Sequence, residues 1–289
     1  MRALVTGADG QVAKAWVAAA PPTWAVTALS RSELDIGDEP AVQAAVARAR
    51  PDVVLNAAAF TPVDLAESQA DAAWRVNRDG AGCVARAAAR LGARMAQLST
   101  DFVFDGRSGE PYAPDAATAP LNVYGASKLA GEAAVLEAAP GALIVRTAWV
   151  YSGHGANFLT RMLGLMAQGG EVRVVCDQIG TPTSAATLAA ALWRLIEREA
   201  HGVLHFTDAG VASWYDFAQA IGEEAFALGL LPGPPRVAPI ATRDFGAPAR
   251  RPAFSVLDKT LTWRILEAPP RHWRAALRDV LATMSAGVV

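Results

Sequence analysis

The chain is poor in the residues that build disulfide frameworks and metal sites: 289 residues hold two cysteines, four histidines and three lysines. Two cysteines make no scaffold, and Cys83 and Cys176 lie in apolar sequence, so reduced thiols in a cytoplasm are expected. His154, His201, His205 and His272 share no ligand spacing, so packed or solvated imidazoles are expected rather than a metal centre. Neither charge sign dominates. With 26 Lys+Arg against 28 Asp+Glu the formal net charge is -2, and the basic field that nucleic-acid binding needs is missing. Apolar runs such as Ala185–Leu192 and Ala142–Val145 fall short of the roughly 20 residues of a membrane-spanning helix. The strand-like run Arg2-Ala3-Leu4-Val5 follows Met1 directly, so no signal peptide is expected before it.

Alanine is abundant, at 64 residues. It favours helix and buries little area per residue, so the 52% hydrophobic share overstates the core. The length fits one large or two modest domains, because single cores stop growing at about 250–300 residues. Short β-branched runs at Ala3–Thr6, Ala25–Leu29, Val53–Leu55, Met95–Ser99 and Leu143–Thr147 alternate with helical patterns at Gln11–Ala20, Glu39–Ala49, Glu67–Leu91 and Tyr124–Ala139. That order predicts an α/β fold with a doubly wound, Rossmann-type parallel sheet, whose ligands gather at the carboxyl ends of the strands. Beyond residue 150 the pattern loosens, and a smaller α/β lobe over residues 151–289 is expected beside a dinucleotide-binding domain over 1–150. Segments crossing between the two are allowed by this reading.

Three features carry chemistry. The first strand runs into Gly7-Ala8-Asp9-Gly10-Gln11-Val12-Ala13, where glycines permit a tight turn and close approach of a pyrophosphate to a helix N-terminus. Its alternative is a plain tight turn. The second strand ends Leu29-Ser30-Arg31-Ser32. A hydroxyl and a guanidinium there suit a 2′-phosphate, so NADPH is expected, with NADH as the alternative and a solvated Arg31 as the bland reading. Tyr124 and Lys128 stand i, i+4 on one helix face. Four tyrosines and three lysines would give roughly 0.04 such pairs by chance in 289 residues. An ammonium nearby is expected to lower the phenol pKa, and Thr100, at the end of a strand, would complete a proton-donating cluster.

Longer segments carry a resemblance. They include Pro51-Asp52-Val53-Val54-Leu55-Asn56-Ala57-Ala58-Ala59, Ser99-Thr100-Asp101-Phe102-Val103-Phe104, Lys128-Leu129-Ala130-Gly131-Glu132, Arg146-Thr147-Ala148-Trp149-Val150-Tyr151, Asp177-Gln178-Ile179-Gly180-Thr181-Pro182-Thr183 and Ala249-Arg250-Arg251-Pro252. With these in order along the chain, the sequence resembles the extended short-chain dehydrogenase/reductases, and among them the dTDP-4-dehydrorhamnose reductases of polysaccharide precursor synthesis. The resemblance implies a dTDP-sugar substrate, a cytoplasmic enzyme and room for a homodimer. It makes Tyr124 the proton donor, Lys128 the partner of Tyr124 and of the nicotinamide ribose, and Thr100 the group that orients the keto oxygen. Asp35 and Ile36 would border the adenine, while Ala57, Ala58 and Ala59 would line the cofactor. Asp101, Phe102 and Trp149 would face the sugar, Trp149 as a platform. Asn157, Arg250 and Arg251 would approach the nucleotide diphosphate.

Departures from the family narrow the reading. Phe102 stands where many relatives carry Tyr, and Lys14-Ala15 lacks the carboxylate that some members use for magnesium. A 4,6-dehydratase needs an Asp-Glu pair after the threonine, and Phe102 takes the place of the Glu. A cofactor-binding regulatory subunit, as known for methionine adenosyltransferase, would not require Tyr124 and Lys128 together. A reductase of another nucleotide 4-keto-6-deoxysugar stays open.

Overall fold

A computed structural model describes residues 1–286. Strands β1 (Arg2–Thr6), β2 (Ala25–Leu29), β3 (Val53–Asn56), β4 (Arg94–Thr100) and β5 (Leu143–Thr147) join with Gly202–His205 in one six-stranded sheet. Its order is Gly202–His205, β5, β4, β3, β1, β2, and every pairing is parallel. Strand order reverses beside β1, and in such sheets the crevice at that point, outside the carboxyl ends, is where ligands bind.

Helices α1 (Gln11–Ala18), α2 (Glu39–Ala49), α3 (Val63–Ser68), α4 (Ala70–Trp74), α5 (Ala81–Arg90) and α6 (Val123–Ala138) follow in chain order. One sheet face carries Val5, Leu55 and Val145, covered by α1 and the helix Ala185–Glu197. There the Trp16 and Trp193 rings stack with centroids 3.9 Å apart. The other face carries Leu4, Val54, Met95 and Ile144 under α2, α5 and α6. Side chains alternate between faces along each strand, so both faces being covered explains why these strands read as continuous apolar runs.

The single helix expected over Glu67–Leu91 is not formed. Gln69 leaves helical dihedrals (φ -123, ψ 48), and α4 passes through one π turn, Arg75–Gly80, into α5. Tertiary bonds made by that turn outweigh a regular ladder: Asn77, 2% exposed, accepts from the Phe60 N–H and donates to the Phe60 carbonyl and the Ser127 hydroxyl.

Beyond β5, short pairs (Val150–Tyr151 with Thr183–Ser184, and Val172–Val175 with Val237–Ile240) and the helices Phe158–Ala167, Trp214–Ala227 and Trp273–Ala286 enclose a second core around Tyr151, Leu159, Phe217 and Leu277. Residues 185–205 serve the first lobe although they follow residue 150, since they supply its last strand and a covering helix. Cys83 and Cys176 are free thiols, but Cys176 is exposed rather than packed in apolar surroundings. His205 is fully buried, and burial beside Arg146 pushes its pKa down to about 3, so it is neutral. No described helix is long and apolar enough to cross a membrane.

Candidate active site

The turn between β1 and α1 forms a cradle. Gly7 has φ +72, and a Cβ there would lie 2.7 Å from the Ala58 Cα, so both conformation and space demand glycine. Gly10 donates its N–H to the Gly7 carbonyl at 2.9 Å and opens α1. The helix start carries neither a side-chain cap nor an acidic residue in its first turn. Its free N–H groups and positive dipole end therefore remain available to a pyrophosphate. Asp9 is exposed at the tip, and Val12 and Ala57–Ala59 are half-buried beside it.

Other expected cofactor contacts are partly committed elsewhere. The Gln11 amide donates to the Val150 carbonyl at 2.9 Å and accepts the Ser152 hydroxyl at 3.2 Å, tying α1 to the second lobe. Ser30 gives its N–H and hydroxyl to Glu33, at 2.8 and 2.7 Å, which leaves exposed Arg31 as the free cation at the end of β2. Asp35 pairs with Arg75 at 2.5 Å and accepts the Gly37 N–H; that guanidinium holds its carboxyl below the usual value. Ile36 is a correction. Its side chain is 3% exposed and sits in the core, so it offers an adenine only its backbone.

At the carboxyl end of β4 the expected catalytic residues do meet. Asn122 caps α6 by accepting the Gly125 N–H at 2.7 Å. A Cβ on Gly125 would fall 2.2 Å from the Phe102 carbonyl oxygen, so glycine alone lets α6 start against the turn Asp101–Val103. This seats the Tyr124 ring edge-on to Phe102, with centroids 5.6 Å apart, and brings its hydroxyl near that of Thr100. The Thr100 hydroxyl donates to Asp101 Oδ1 at 3.1 Å and accepts the Phe102 N–H at 3.2 Å.

The electrostatics differ from the expectation. Burial pushes the Tyr124 phenol up to about 12, partly offset by the nearby Thr100 hydroxyl and increased by the charge of Asp101. Lys128 does not bring it down, because its ammonium, 4% exposed, donates to the Leu98 carbonyl at 2.7 Å. Burial takes Lys128 down to about 8, against the pull of Glu132.

Asp101 is 2% exposed, and its Oδ2 makes no hydrogen bond. Burial raises its pKa to about 6, with the Ser255 and Thr100 hydroxyls opposing. A pKa raised on folding contributes stability that is complete below the unfolded value and is lost as pH rises through the folded one. This group therefore lowers stability between about pH 4 and 6. Asp101→Asn is expected to stabilise the fold by about 2–3 kcal/mol at pH 7.5 and by little at pH 4. Urea denaturation of both chains at the two pH values checks this. Asp208, also raised to about 6 by burial, gives both chains the same remaining slope.

On the substrate side, Trp149 follows β5 with φ 48, a left-handed conformation rare for a bulky residue. Its indole stacks on Trp214, with centroids 3.6 Å apart and planes 7° from parallel. Two residues expected to contact the diphosphate have partners within the chain. Asn157 spends its side chain capping the helix Phe158–Ala167, accepting from the Thr160 N–H and donating to the Ser152 and His154 carbonyls. Arg251 forms a bidentate pair with Asp64, both bonds 2.9 Å, which leaves neighbouring Arg250 exposed toward solvent.

Sequence reasoning missed Trp214, Arg75, Asp64, Ser255, and a buried ion pair between Glu132 and Arg146 behind Lys128. Only Glu132 had a signal in the sequence, four residues after Lys128 on the same helix face. The others reach the site from distant segments.

Against known proteins, the family model described as RmlD substrate binding domain matches residues 1–286. A protein of Mycobacterium tuberculosis (strain ATCC 25618 / H37Rv) named dTDP-4-dehydrorhamnose reductase is 44% identical over 97% of this chain and 92% of its own length. The crystal structure of a dTDP-4-dehydrorhamnose reductase from Clostridium acetobutylicum superposes with a TM-score of 0.92 at 37% identity, covering 98% of this chain and 99% of that one. A Bacillus anthracis dTDP-4-dehydrorhamnose reductase, solved in complex with NADP, has the same TM-score and coverage at 35% identity. The chain belongs to the RmlD substrate binding domain family.

Proposed function

We propose that the chain reduces the 4-keto group of dTDP-4-dehydro-L-rhamnose to give dTDP-L-rhamnose, with NADPH as the reductant. The observation that carries this is the junction of Thr100, Tyr124 and Lys128 at the carboxyl end of β4. The uncapped start of α1, with Gly7 pressed on Ala58, fits a dinucleotide. NADP in the Bacillus anthracis relative supports the choice of cofactor. Bound there, NADPH supplies the hydride.

This chain's residues handle position and proton. With its pKa up at about 12, Tyr124 is protonated at neutral pH, the form a donor needs when a carbonyl becomes an alkoxide. Thr100 stands beside the phenol, and its own hydroxyl is oriented by Asp101. Lys128, largely charged at pH 7, is the cation we assign to the nicotinamide ribose. We assign Arg31 to a 2′-phosphate, Trp149 to the deoxysugar, and Arg250 rather than Arg251 to the diphosphate. We divide the labour in the same way: the sheet lobe for the dinucleotide, the lobe after residue 150 for the sugar nucleotide.

The test is a panel of enzymatically generated dTDP- and GDP-4-ketosugars with NADPH or NADH, followed by cofactor oxidation and identification of the product sugar. Turnover of the rhamnose precursor to dTDP-L-rhamnose, faster with NADPH, is expected. Turnover of a different ketosugar alone would replace the substrate, and no turnover of any would overturn the enzymatic reading.

A further inference from the structure

Beneath α6, the apolar face of the sheet gives way to a polar row just before the strands end. Thr6, Asn56 and Gln97 lie in register across β1, β3 and β4, and are 1%, 0% and 3% exposed. The Thr6 hydroxyl donates to Asn56 Oδ1 at 2.5 Å, Asn56 Nδ2 donates to Gln97 Oε1 at 2.8 Å, and Gln97 Nε2 donates to the Leu98 carbonyl at 2.8 Å. That same carbonyl receives the Lys128 ammonium at 2.7 Å. The direction of the row is forced. A carbonyl only accepts, so Gln97 must turn its NH₂ toward Leu98 and its oxygen toward Asn56, and the same constraint passes back to the Thr6 hydroxyl.

Nothing in the proton transfer described above uses these three side chains, and an apolar row would close the same space without buried polar groups. The row also has informative ends. Thr6 leads directly into Gly7 of the dinucleotide cradle, Asn56 leads into Ala57, and the far end stops on the acceptor of Lys128.

We propose that Thr6, Asn56 and Gln97 are positioning residues that act through the Leu98 carbonyl: by sharing that acceptor with the Lys128 ammonium, the row keeps Lys128 loosely held and ready to exchange the carbonyl for a ligand oxygen. Two effects act in the same direction. A second donor on one carbonyl weakens the hold on the first, and both amides point their positive ends toward the ammonium. The other ionisable groups about Lys128 are Glu132, one turn along α6 and paired with Arg146 of β5, and Tyr124 with Asp101 across Thr100. Glu132 favours the ammonium, and the row counteracts it.

The inference rests on the role given to Lys128 above. Because the chain has only Lys14, Lys128 and Lys259, selective ¹³Cε-lysine labelling gives three resonances, and Lys128 can be titrated directly in the protein without ligand. In T6V/N56L/Q97M the row becomes apolar with no partner left unpaired. In Q97M the donor to Leu98 is withdrawn without adding a charge, while Thr6 keeps its bond to Asn56. In both, the Lys128 midpoint is expected to rise by about 0.5–1 unit. The basic limb of the kcat profile should rise with it, and kcat at pH 7 should fall about 3–10-fold with KM for the sugar nucleotide unchanged. A Lys128 midpoint that stays in place or falls in both variants overturns the proposal. Full turnover in K128M would instead remove the role of Lys128 itself, so the two failures are distinguishable.

Discussion

Tyr124→Phe is expected to lower reductase turnover by about 10²–10⁴-fold, the contribution of a positioned proton donor, while leaving the fold and dinucleotide binding in place. The ring keeps its edge contact with Phe102. The Thr100 hydroxyl keeps its bonds to Asp101 Oδ1 and the Phe102 N–H. What disappears is the proton of a phenol that burial holds protonated at neutral pH. Steady-state oxidation of NADPH by the ketosugar, with cofactor affinity measured separately by fluorescence, checks the expectation. A variant within tenfold of the native rate would mean that solvent or another residue delivers the proton, and Asp101, with its unbonded Oδ2, would be the next group to examine.

Arg146→Met is expected to produce the largest loss of stability, about 3–5 kcal/mol, because it strands a buried charge. Glu132 and Arg146 are 4% and 5% exposed and form a bidentate pair at 2.7 and 2.9 Å. Arg146 also donates to the Pro114 carbonyl at 3.0 Å and lies over the Phe104 ring. Ser99 donates to Glu132, and neutral His205 closes the far side, its Nδ1 against the Tyr112 carbonyl. Ser99, Arg146 and His205 are in register on β4, β5 and the strand Gly202–His205, so one cross-strand row surrounds the charge with polar neighbours. Without Arg146, the carboxylate of Glu132 retains Ser99 and the nearby Lys128, too little to offset its desolvation. Urea denaturation of R146M, E132L and E132L/R146M measures this. The double variant should be more stable than R146M, because two apolar groups replace a pair where one had left an unpaired charge. A loss below about 1 kcal/mol in R146M would mean that water reaches the pair.

Much of the fold was legible because its signals are local. Ala3–Thr6 followed by Gly7-Ala8-Asp9-Gly10 announces a strand, a left-handed turn and an open helix start within a few residues, and alternation of strand and helix patterns fixes a parallel sheet. The spacing of Tyr124 and Lys128 is likewise a property of one helix. Where the reading failed, a tertiary contact had overruled local propensity. Residues 67–91 look like one helix, yet Asn77 trades the regular ladder for bonds to Phe60 and Ser127. The partners of Asn157 and Arg251, a helix end and Asp64, are equally invisible in the local sequence. Ile36 stands beside the expected adenine edge in sequence but turns into the core.

By itself the sequence determined the sheet, the place of the glycine turn, the helical spacing of Tyr124 and Lys128 and the class of reaction, since each depends on residues close together along the chain. Tertiary structure decided the proton affinities and the partners. Desolvation depends on everything packed around a group, so Tyr124 rises to about 12 despite its neighbouring lysine, and Lys128 falls to about 8. The buried row from Thr6 to Leu98 joins residues 50 and 41 positions apart, and only strand pairing brings them within hydrogen-bond reach.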